Sequence, residues 1–256
     1  KTARLCYNVF MNIITSKANN VVKNTKKLLQ KKYRKDSYLI EGWHLFEEAV
    51  NAQAEIRHIF VLENFFDKVK DFSQVHVVTS EILTDLADSK TPQGIVAEIA
   101  FEKQSAPSFL KGKYLFLEDV QDPGNVGTII RTADAAGYDG VFISQHSADI
   151  YNLKTLRSMQ GSHFHLPIYQ MKTSDFLELA KQIQLPVLAT TLSRDSIDYR
   201  ELAPMTDFVL VLGNEGQGIS QQMMDKADQL VHISMKGRAE SLNVAVAAGI
   251  LIFSLS

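Results

Sequence analysis

Apolar positions change period along the chain, and the changes mark out two stretches of alternating strands and helices. In the first, Val21, Val22, Leu28, Leu29 and Tyr33 recur at loose helical spacing with lysines between them, which predicts a helix from Val21 to Tyr33. Tyr38-Leu39-Ile40 reads as a short strand, and Trp43 to Ala52 as a helix turning Leu45, Phe46, Ala49 and Val50 inward. Ile56 to Leu62 is a strand, Phe65 to Phe72 a short helix and Val75 to Thr79 another strand. Ser80 is placed to cap a helix from Glu81 to Ala87, and Gly94 to Ala100 closes the series as a strand. The polar run 102–113, with Pro107 and Gly112, is the expected linker between one domain at 12–101 and a second at 114–256.

After that run the pattern restarts. Tyr114 to Glu118, Gly140 to Ser144, Pro186 to Thr190, Phe208 to Leu212 and Leu230 to Ile233 are strands. Gly127 to Ala136, Asn152 to Met159, Ser174 to Ile183 and a terminal segment from Ser241 to Leu255 are helices. Strands alternating with helices predict an α/β fold with a mostly parallel, doubly wound sheet. The all-apolar Phe208-Val209-Leu210-Val211-Leu212 runs straight into Gly213-Asn214-Glu215-Gly216-Gln217-Gly218. A buried strand that breaks into a glycine-rich polar loop is where α/β proteins place ligands, although a plain glycine turn has the same composition.

Composition narrows the field. Among 256 residues, 45% are hydrophobic and 22% charged, as in ordinary water-soluble domains. No uncharged apolar run approaches the ~18 residues of a membrane span. Cys6 is the single cysteine, which excludes an intrachain disulfide and a cysteine-cluster zinc site and fits a cytoplasmic setting. The chain opens on Lys1, and Met11 is a candidate natural start. The net charge of −2 hides Lys17, Lys23, Lys26, Lys27, Lys31, Lys32, Arg34 and Lys35, a stretch with no acidic residue between Asn12 and Lys35. Such a cluster suits phosphate backbones; a solvated helix face is the alternative.

Several chemistries drop out. There is no Gly-x-x-x-x-Gly-Lys-Ser/Thr loop and no Gly-x-Ser-x-Gly elbow, and Gly213, Gly216 and Gly218 run in the reverse order of a dinucleotide fingerprint. His163 and His165 flank Phe164 without further ligands nearby in sequence, so no metal site is expected. The second informative segment is Leu117 to Gly137: a strand ends at Pro123-Gly124, and a helix of small residues follows. Asn125 is a candidate cap for it. Arg131 then falls in its second turn, and the small or apolar Ile129, Ile130, Ala133 and Ala136 imply that it is partly buried.

Three separated segments together resemble the motifs of the SpoU (TrmH) RNA ribose methyltransferases of the SPOUT superfamily. They are Asn125-Val126-Gly127 through Arg131-Thr132-Ala133 to Gly137, then Leu212 to Gly218, then Ile233-Ser234-Met235 with Ser241-Leu242-Asn243-Val244-Ala245-Val246-Ala247-Ala248. The likeness spans Tyr114 to about Phe253. The N-terminal unit resembles the ribosomal-protein-like RNA substrate-binding domain of many members, including Ile14-Thr15-Ser16-Lys17 and Ile40-Glu41-Gly42.

The resemblance implies methyl transfer from S-adenosylmethionine to a ribose 2′-hydroxyl, in ribosomal RNA rather than transfer RNA, by a homodimer without a metal. It implies a catalytic domain threaded into a trefoil knot, which general rules of chain topology make very improbable. By the same resemblance the cofactor lies against Gly213, Ile233 and Leu242, with Gly218 and Met235 beside it and Thr191-Leu192 closing nearby. Arg131 sits at the target nucleotide, either as base or as a stabiliser of phosphate and alkoxide; a guanidinium is a poor base. Asn125 and Asn243 hold Arg131, the ribose or the loop, Glu215 anchors Arg131 or orders the cofactor loop, and Ser241 is the remaining polar group. Lys17, Lys23, Lys26, Lys27, Lys31, Lys32 and Arg34 are the implied RNA contacts. The uncharged Leu242 to Leu255 segment is a candidate dimer surface, or equally a core helix. Position 245 is Ala where many relatives carry a small hydroxyl residue. Two rival classes are a non-catalytic RNA-binding protein on the same fold and a Rossmann-like oxidoreductase.

Overall fold

The computed structural model describes residues 12–89, 91–102 and 111–256. Cys6 and most of the expected linker lie outside them. The chain divides into two compact units, Lys1–Phe101 and Glu102–Ser256.

In the first unit, α1 (Asn20–Lys27) is capped by Asn19, whose side chain accepts from the amides of Val21 and Val22. Lys26 and Lys27 occupy its last turn, where the helix dipole favours cations. It ends well before Tyr33, and a separate 3-10 turn follows at Lys31–Tyr33. Leu29 is only half-buried and Tyr33 is 44% exposed, so continuing the stripe begun by Val22 would bury little. The unit continues with β1 (Ser37–Glu41), α2 (Trp43–Asn51), β2 (Ile56–Leu62), β3 (Val75–Val78), α3 (Ser80–Leu86) and β4 (Ile95–Ala100). A 3-10 stretch, Glu63–Lys68, stands where a helix from Phe65 to Phe72 was expected. Thr79 rather than Ser80 caps α3, accepting from the amide of Ile82. The sheet order is β1-β4-β2-β3, with β4 antiparallel to both neighbours and β2 parallel to β3.

The second unit is built on a seven-stranded sheet whose six pairings are all parallel. Its elements in chain order are β5 (Lys113–Leu117), α4 (Pro123–Ala135), β6 (Gly140–Ile143), α5 (Leu153–Met159), β7 (Ile168–Gln170), α6 (Thr173–Ile183), β8 (Val187–Thr190), β9 (Ile197–Asp198), β10 (Phe208–Leu212), α7 (Gln221–Lys226), β11 (Gln229–His232) and α8 (Val244–Ser254). β7, β9 and α7 were not anticipated; strands of two or three residues are too short to display a period. The expected terminal helix begins at Val244, with Asn243 as its cap and Ser241 and Leu242 outside it.

Alternate strand residues fill the two faces. Tyr114, Phe116, Phe142, Val187, Val209 and Val211 pack with Phe176 and Leu177 of α6 and Met223 of α7 in one buried cluster. Phe116 and Phe176 stack at 4.1 Å between ring centroids. Against the other face α4 packs with α5 and α8. Gly127 permits the first of these contacts: a Cβ there would meet the Thr155 carbonyl oxygen at 2.5 Å. Val126, Ile129, Ile130 and Ala133 are fully buried beside it.

The strand order β7-β6-β5-β10-β8-β11-β9 places the loops after β5, β8, β10 and β11 along one edge of the sheet. In an open parallel sheet, the carboxyl ends of strands at a reversal of winding order form the crevice that holds ligands. β10, inserted between β5 and β8, makes such a reversal.

Candidate functional site

A cavity of about 360 Å³ opens at that edge. Its walls are Thr190 at the end of β8 with Thr191 and Leu192 beyond it, the loop Gly213 to Gly218 after β10, His232 at the end of β11 with Ile233 and Met235 beyond it, Ser241 and Leu242 ahead of α8, and Val244, Ala247 and Leu251 on α8. Thr191, Leu192, Gly213, Gly218, Ile233, Met235 and Leu242, singled out in the sequence, therefore share one cavity with Glu215 and Ser241.

The loop after β10 is held by its own chemistry. Asn214 and Gly218 exchange two backbone hydrogen bonds, of 2.9 and 3.0 Å, and the Asn214 carboxamide oxygen accepts from the amides of Gly216 and Gln217. Its glycines have different reasons. A Cβ on Gly213 would meet the backbone carbon of Gly218 at 2.3 Å, so Gly213 makes room for the loop's own return. Gly218 has φ +71°, the left-handed region that favours glycine, and open space around it. Only Gly218 and Gly216 thus leave room for a ligand; Gly213 answers to the backbone beside it.

Asn214 also donates to the Asp119 carbonyl oxygen at 2.9 Å. Asp119 itself has φ +56°. That conformation is fixed by Ser144, whose hydroxyl accepts from the Asp119 amide at 2.8 Å and donates to its carboxylate at 2.6 Å. The buried Glu118 carboxylate accepts from both the amide and the hydroxyl of Ser220, tying the end of β5 to the start of α7. Sequence reading passed over Asn214, Asp119, Glu118 and Ser144. Asn followed by Glu-Gly carries a turn signal, but the serines lie too far along the chain to be paired with Asp119 in advance.

Asn125 does not cap α4. Asp122 does, accepting from the Asn125 amide at 2.9 Å, with Pro123 in the first helical turn. An Asp just ahead of a Pro is the stronger start signal. Arg131 consequently lies in the third turn rather than the second, and it is exposed rather than partly buried. Its apolar neighbours point to the sheet and to α5 and α8, while its own position faces outward.

The Arg131 side chain makes no hydrogen bond or ion pair with any other described residue. Of the two expectations for Glu215, no bond to Arg131 is made; its carboxylate accepts from Asn125 Nδ2 at 3.0 Å and from the amides of Gln121 and Asp122 at 3.2 and 3.1 Å, which ties the cavity loop to the chain around the start of α4. Asn243 Nδ2 donates to Asn125 Oδ1 at 3.1 Å, and Asn243 Oδ1 caps α8 through the amides of Ala245 and Val246. Glu215, Asn125 and Asn243 are thus one chain of hydrogen bonds joining the three sequence segments. Partial burial pushes the Glu215 pKa up, but the hydrogen bonds from Asn125 and the two amides outweigh it and hold the carboxyl below its ordinary value. Ser241 lines the cavity without joining this chain.

In the N-terminal unit the basic cluster is partly neutralised by residues distant in sequence. Lys17 pairs with Glu81 at 2.8 Å and Asp85 at 3.2 Å, and Lys26 with Asp85 at 3.0 Å. Lys27 donates to Asn24 at 3.0 Å, and the Lys32 ammonium stands 4.9 Å from the Tyr33 ring centroid. Lys23 and Lys31 are exposed without a partner among the described residues. Arg34 follows the 3-10 turn at the edge of this group.

The cavity's chemistry separates ligand classes. Among the described residues no lysine or arginine lines it; its charged group is the Glu215 carboxylate. Apolar side chains and the free backbone groups of Ile233 and Leu242 make up much of the rest. A pyrophosphate-bearing dinucleotide has nothing here to pair with. A purine nucleoside carrying a cationic centre fits, since rings take apolar walls and backbone groups read the base edge. No described group of His, Cys, Asp and Glu is placed to hold a metal ion, and no described helix is long and apolar enough to cross a membrane.

Fold and cavity together define an α/β protein that takes a small ligand in the loops at the carboxyl edge of a parallel sheet. Residues 112–253 match the SpoU rRNA Methylase family and residues 19–97 match the MRM3-like substrate binding domain. The chain belongs to the SpoU rRNA methylase family. It is 37% identical over 249 residues to the 23S rRNA (guanosine(2553)-2′-O)-methyltransferase RlmP of Bacillus subtilis, covering 96% of this chain and 99% of that one. The crystal structure of an AdoMet-bound rRNA methyltransferase from Sinorhizobium meliloti superposes with a TM-score of 0.85 at 32% identity, over 95% of this chain and 97% of that one. The SpoU methyltransferase AviRb of Streptomyces viridochromogenes, in complex with AdoMet, gives 0.78 at 26% identity over 93% and 97%.

Proposed function

We propose that this protein methylates a ribose 2′-hydroxyl in ribosomal RNA, using S-adenosylmethionine bound in the cavity between Thr191, Gly218, Ile233, Met235 and Leu242. The observation that carries the reading is the hydrogen-bonded series Asn243–Asn125–Glu215, which sets Arg131's helix against a cavity free of cationic side chains. When bound, S-adenosylmethionine supplies an electrophilic methyl group on a sulfonium. The protein's share is to place the ribose oxygen in line and to stabilise the negative charge that oxygen gains as it loses its proton; positioning alone contributes on the order of 7–11 kcal/mol in favourable systems.

Arg131 is suited to the stabilising role rather than to proton abstraction. An exposed guanidinium stays charged and offers five donors to a phosphate or alkoxide. Asn125 and Asn243 hold the starts of α4 and α8 in register, Glu215 fixes the cavity loop to the chain before α4, and Ser241 is left to meet substrate. Lys23, Lys27, Lys31 and Lys32 form the phosphate-binding face of the first unit, with Arg34 at its margin and Lys17 and Lys26 contributing less. That unit, within 12–101, recognises RNA, and the domain at 114–256 carries the reaction, with 102–113 as the connection.

Three finer features belong to the same reading. The terminal segment is threaded as a trefoil knot; support comes from β10 lying between β5 and β8, β11 lying beyond β8, and α8 returning to α4. A second copy covers α8, whose Val246 and Phe253 are 53% and 57% exposed on a helix without charge. The setting is the cytoplasm, where ribosomal RNA is found. Tritium transfer from labelled S-adenosylmethionine to ribosomal RNA lacking the modification tests the activity, and mapping 2′-O-methyl sites in cells with and without the gene locates the target. Thermal stabilisation by NAD but not by S-adenosylhomocysteine would overturn it.

A further inference from the structure

The first unit contains a second cavity, of about 370 Å³, between α1, the 3-10 turn and the sheet. Asn24, Tyr33, Asp36, Arg57, His58 and Glu98 are among the polar and aromatic residues that line it, with Ser37 beside Glu98. Ser37 and Glu98 are buried, 4% and 9% exposed, and the Ser37 hydroxyl donates to Glu98 Oε1 at 2.6 Å. Glu98 Oε2 has no partner among the described residues, and no lysine or arginine lies within ion-pair distance of it. His58 faces Glu98 across the β2–β4 ladder, but its Nδ1 is taken up by His76 Nε2 at 3.0 Å. Because Glu98 lines the cavity, its unoccupied carboxylate oxygen is available to a ligand that brings hydrogen-bond donors to it.

The surroundings say what kind of ligand. The Tyr33 ring, 44% exposed, offers a stacking surface at the rim. Asn24 Oδ1 is occupied by Lys27, which leaves the Asn24 amide nitrogen as a free donor. Exposed Lys23 and Lys31 stand on the elements that bound the cavity. Aromatic stacking plus a lysine rim is how single-stranded RNA bases are held. The carboxylate discriminates among bases. Guanine presents two adjacent donors, N1–H and N2–H, beside the O6 acceptor. Adenine and cytosine place a ring acceptor next to their exocyclic donor, and uracil flanks its single N–H with two carbonyl oxygens that repel a carboxylate.

We propose that this cavity binds an unpaired guanine of the RNA substrate, with N1–H and N2–H on Glu98, O6 facing Asn24 and Arg57, and the base stacked on Tyr33. The inference rests on the reading that the substrate is RNA. It adds a base-specific contact in the first unit, whereas the methyl-transfer cavity belongs to the second, so the RNA is chosen partly by a nucleotide that is not itself modified.

The test uses the full chain and four labelled uridine-rich RNA octamers that differ at one central position, G, inosine, A or C, with fluorescence polarisation as the readout. The G octamer is expected to bind at least about fivefold more tightly than A or C, as a two-donor base contact requires, with inosine, which lacks N2–H, in between. Glu98→Gln is expected to bring G and A within about twofold. Equal binding of all four octamers by the wild type, or a G preference that survives Glu98→Gln, overturns the proposal. If Glu98→Gln does not fold by circular dichroism, Tyr33→Ala decides: about tenfold loss for the G octamer supports the cavity, and unchanged affinity rejects it. Tritium transfer to ribosomal RNA is measured on the same wild-type protein. Transfer without base preference removes this inference alone, whereas no transfer and no octamer binding removes the RNA reading with it.

Discussion

Asn125 donates its side-chain N–H to Glu215 at 3.0 Å across 90 residues of sequence. The direction of that bond is forced. An ionised carboxylate only accepts, so Asn125 must present Nδ2 to Glu215 and thereby turn Oδ1 towards the amide of Asn243, 3.1 Å away. One carboxamide reads both neighbours, and an isosteric change that removes its donor breaks the pattern at its centre.

Asn125→Asp is therefore expected to be worse than Asn125→Ala. The substitution sets a second carboxylate against Glu215, whereas Ala only deletes the bonds. Hydrogen bonds to charged groups are worth about 1.5–3 kcal/mol, so Asn125→Ala should lower methyl transfer about 10- to 100-fold, and Asn125→Asp further. The melting temperature of the Asp variant should approach that of the Ala variant in acid, as one carboxyl of the pair takes up a proton. Equal melting temperatures at neutral pH would contradict the like-charge argument.

The Glu215 and Asp122 carboxyls both titrate below their ordinary values. For Glu215 burial acts upward and is outweighed by Asn125 and the backbone amides; for Asp122 the causes are the Asn125 amide and then Lys154. A depressed carboxyl contributes stability that is complete above its unfolded pKa, near 4, and is lost as pH falls through the folded value. Binding of S-adenosylhomocysteine should therefore weaken between about pH 5 and 3. Glu215→Gln should flatten that fall while binding less tightly at neutral pH; calorimetry at a series of pH values is the check.

Much of both units was legible because long apolar runs and helix periods survive in the local sequence. Phe208 to Leu212 and Ile56 to Leu62 were placed residue for residue. What escaped depends on partners far along the chain. Nothing near Lys26 announces Asp85. Nothing near Asp119 announces Ser144, which stabilises its positive φ. The start of α4 was misplaced because Asn125 and Asp122 are both good caps, and only the fold decides which side chain meets a free amide. Arg131 faces outward for a separate reason: Val126, Ile129, Ile130 and Ala133 form the buried side of α4, and residue 131 falls on the opposite side, so apolar neighbours in sequence do not bury it.

Gly127→Ala should destabilise the second unit without touching the cavity. The added methyl meets the Thr155 carbonyl oxygen at 2.5 Å and the Met159 amide nitrogen at 2.9 Å, both backbone atoms that cannot rotate away. Overpacking of this kind costs about 1–3 kcal/mol. Urea denaturation should show a lower midpoint at unchanged slope, and a midpoint equal to wild type would mean that α4 and α5 separate freely.

Arg131→Ala should abolish most turnover while leaving the methyl donor's affinity within about threefold. Removing one charge-stabilising donor from an active site costs about 10²–10³ in rate. Arg131 is exposed and does not line the cavity, so calorimetry with S-adenosylhomocysteine should change little. Arg131→Lys keeps the charge but not the forked donors; activity near that of Ala would assign the role to bidentate geometry, and activity near wild type would assign it to charge alone. Wild-type turnover by Arg131→Ala would remove the residue from the mechanism.

The basic cluster should not act as a uniform footprint. Lys17 and Lys26 are engaged with Glu81 and Asp85, and the Lys17 ammonium is held in its charged form by the hydrogen bond to Glu81 first and Asp85 next. An RNA phosphate would have to compete with those carboxylates. Lys23 and Lys31 face no such competitor, and the Lys32 ammonium is held over Tyr33, a weaker tie than an ion pair. Each phosphate contact contributes about 0.7–0.9 to the slope of log affinity against log salt. The double substitution Lys31→Ala with Lys32→Ala should therefore make the slope shallower by about 1.4–1.8. Lys17→Ala with Lys26→Ala should change it by less than about one, even though the freed Asp85 and Glu81 will lower affinity by repulsion. Equal changes in slope for the two pairs would mean that RNA displaces the carboxylates and that the whole cluster binds as one surface.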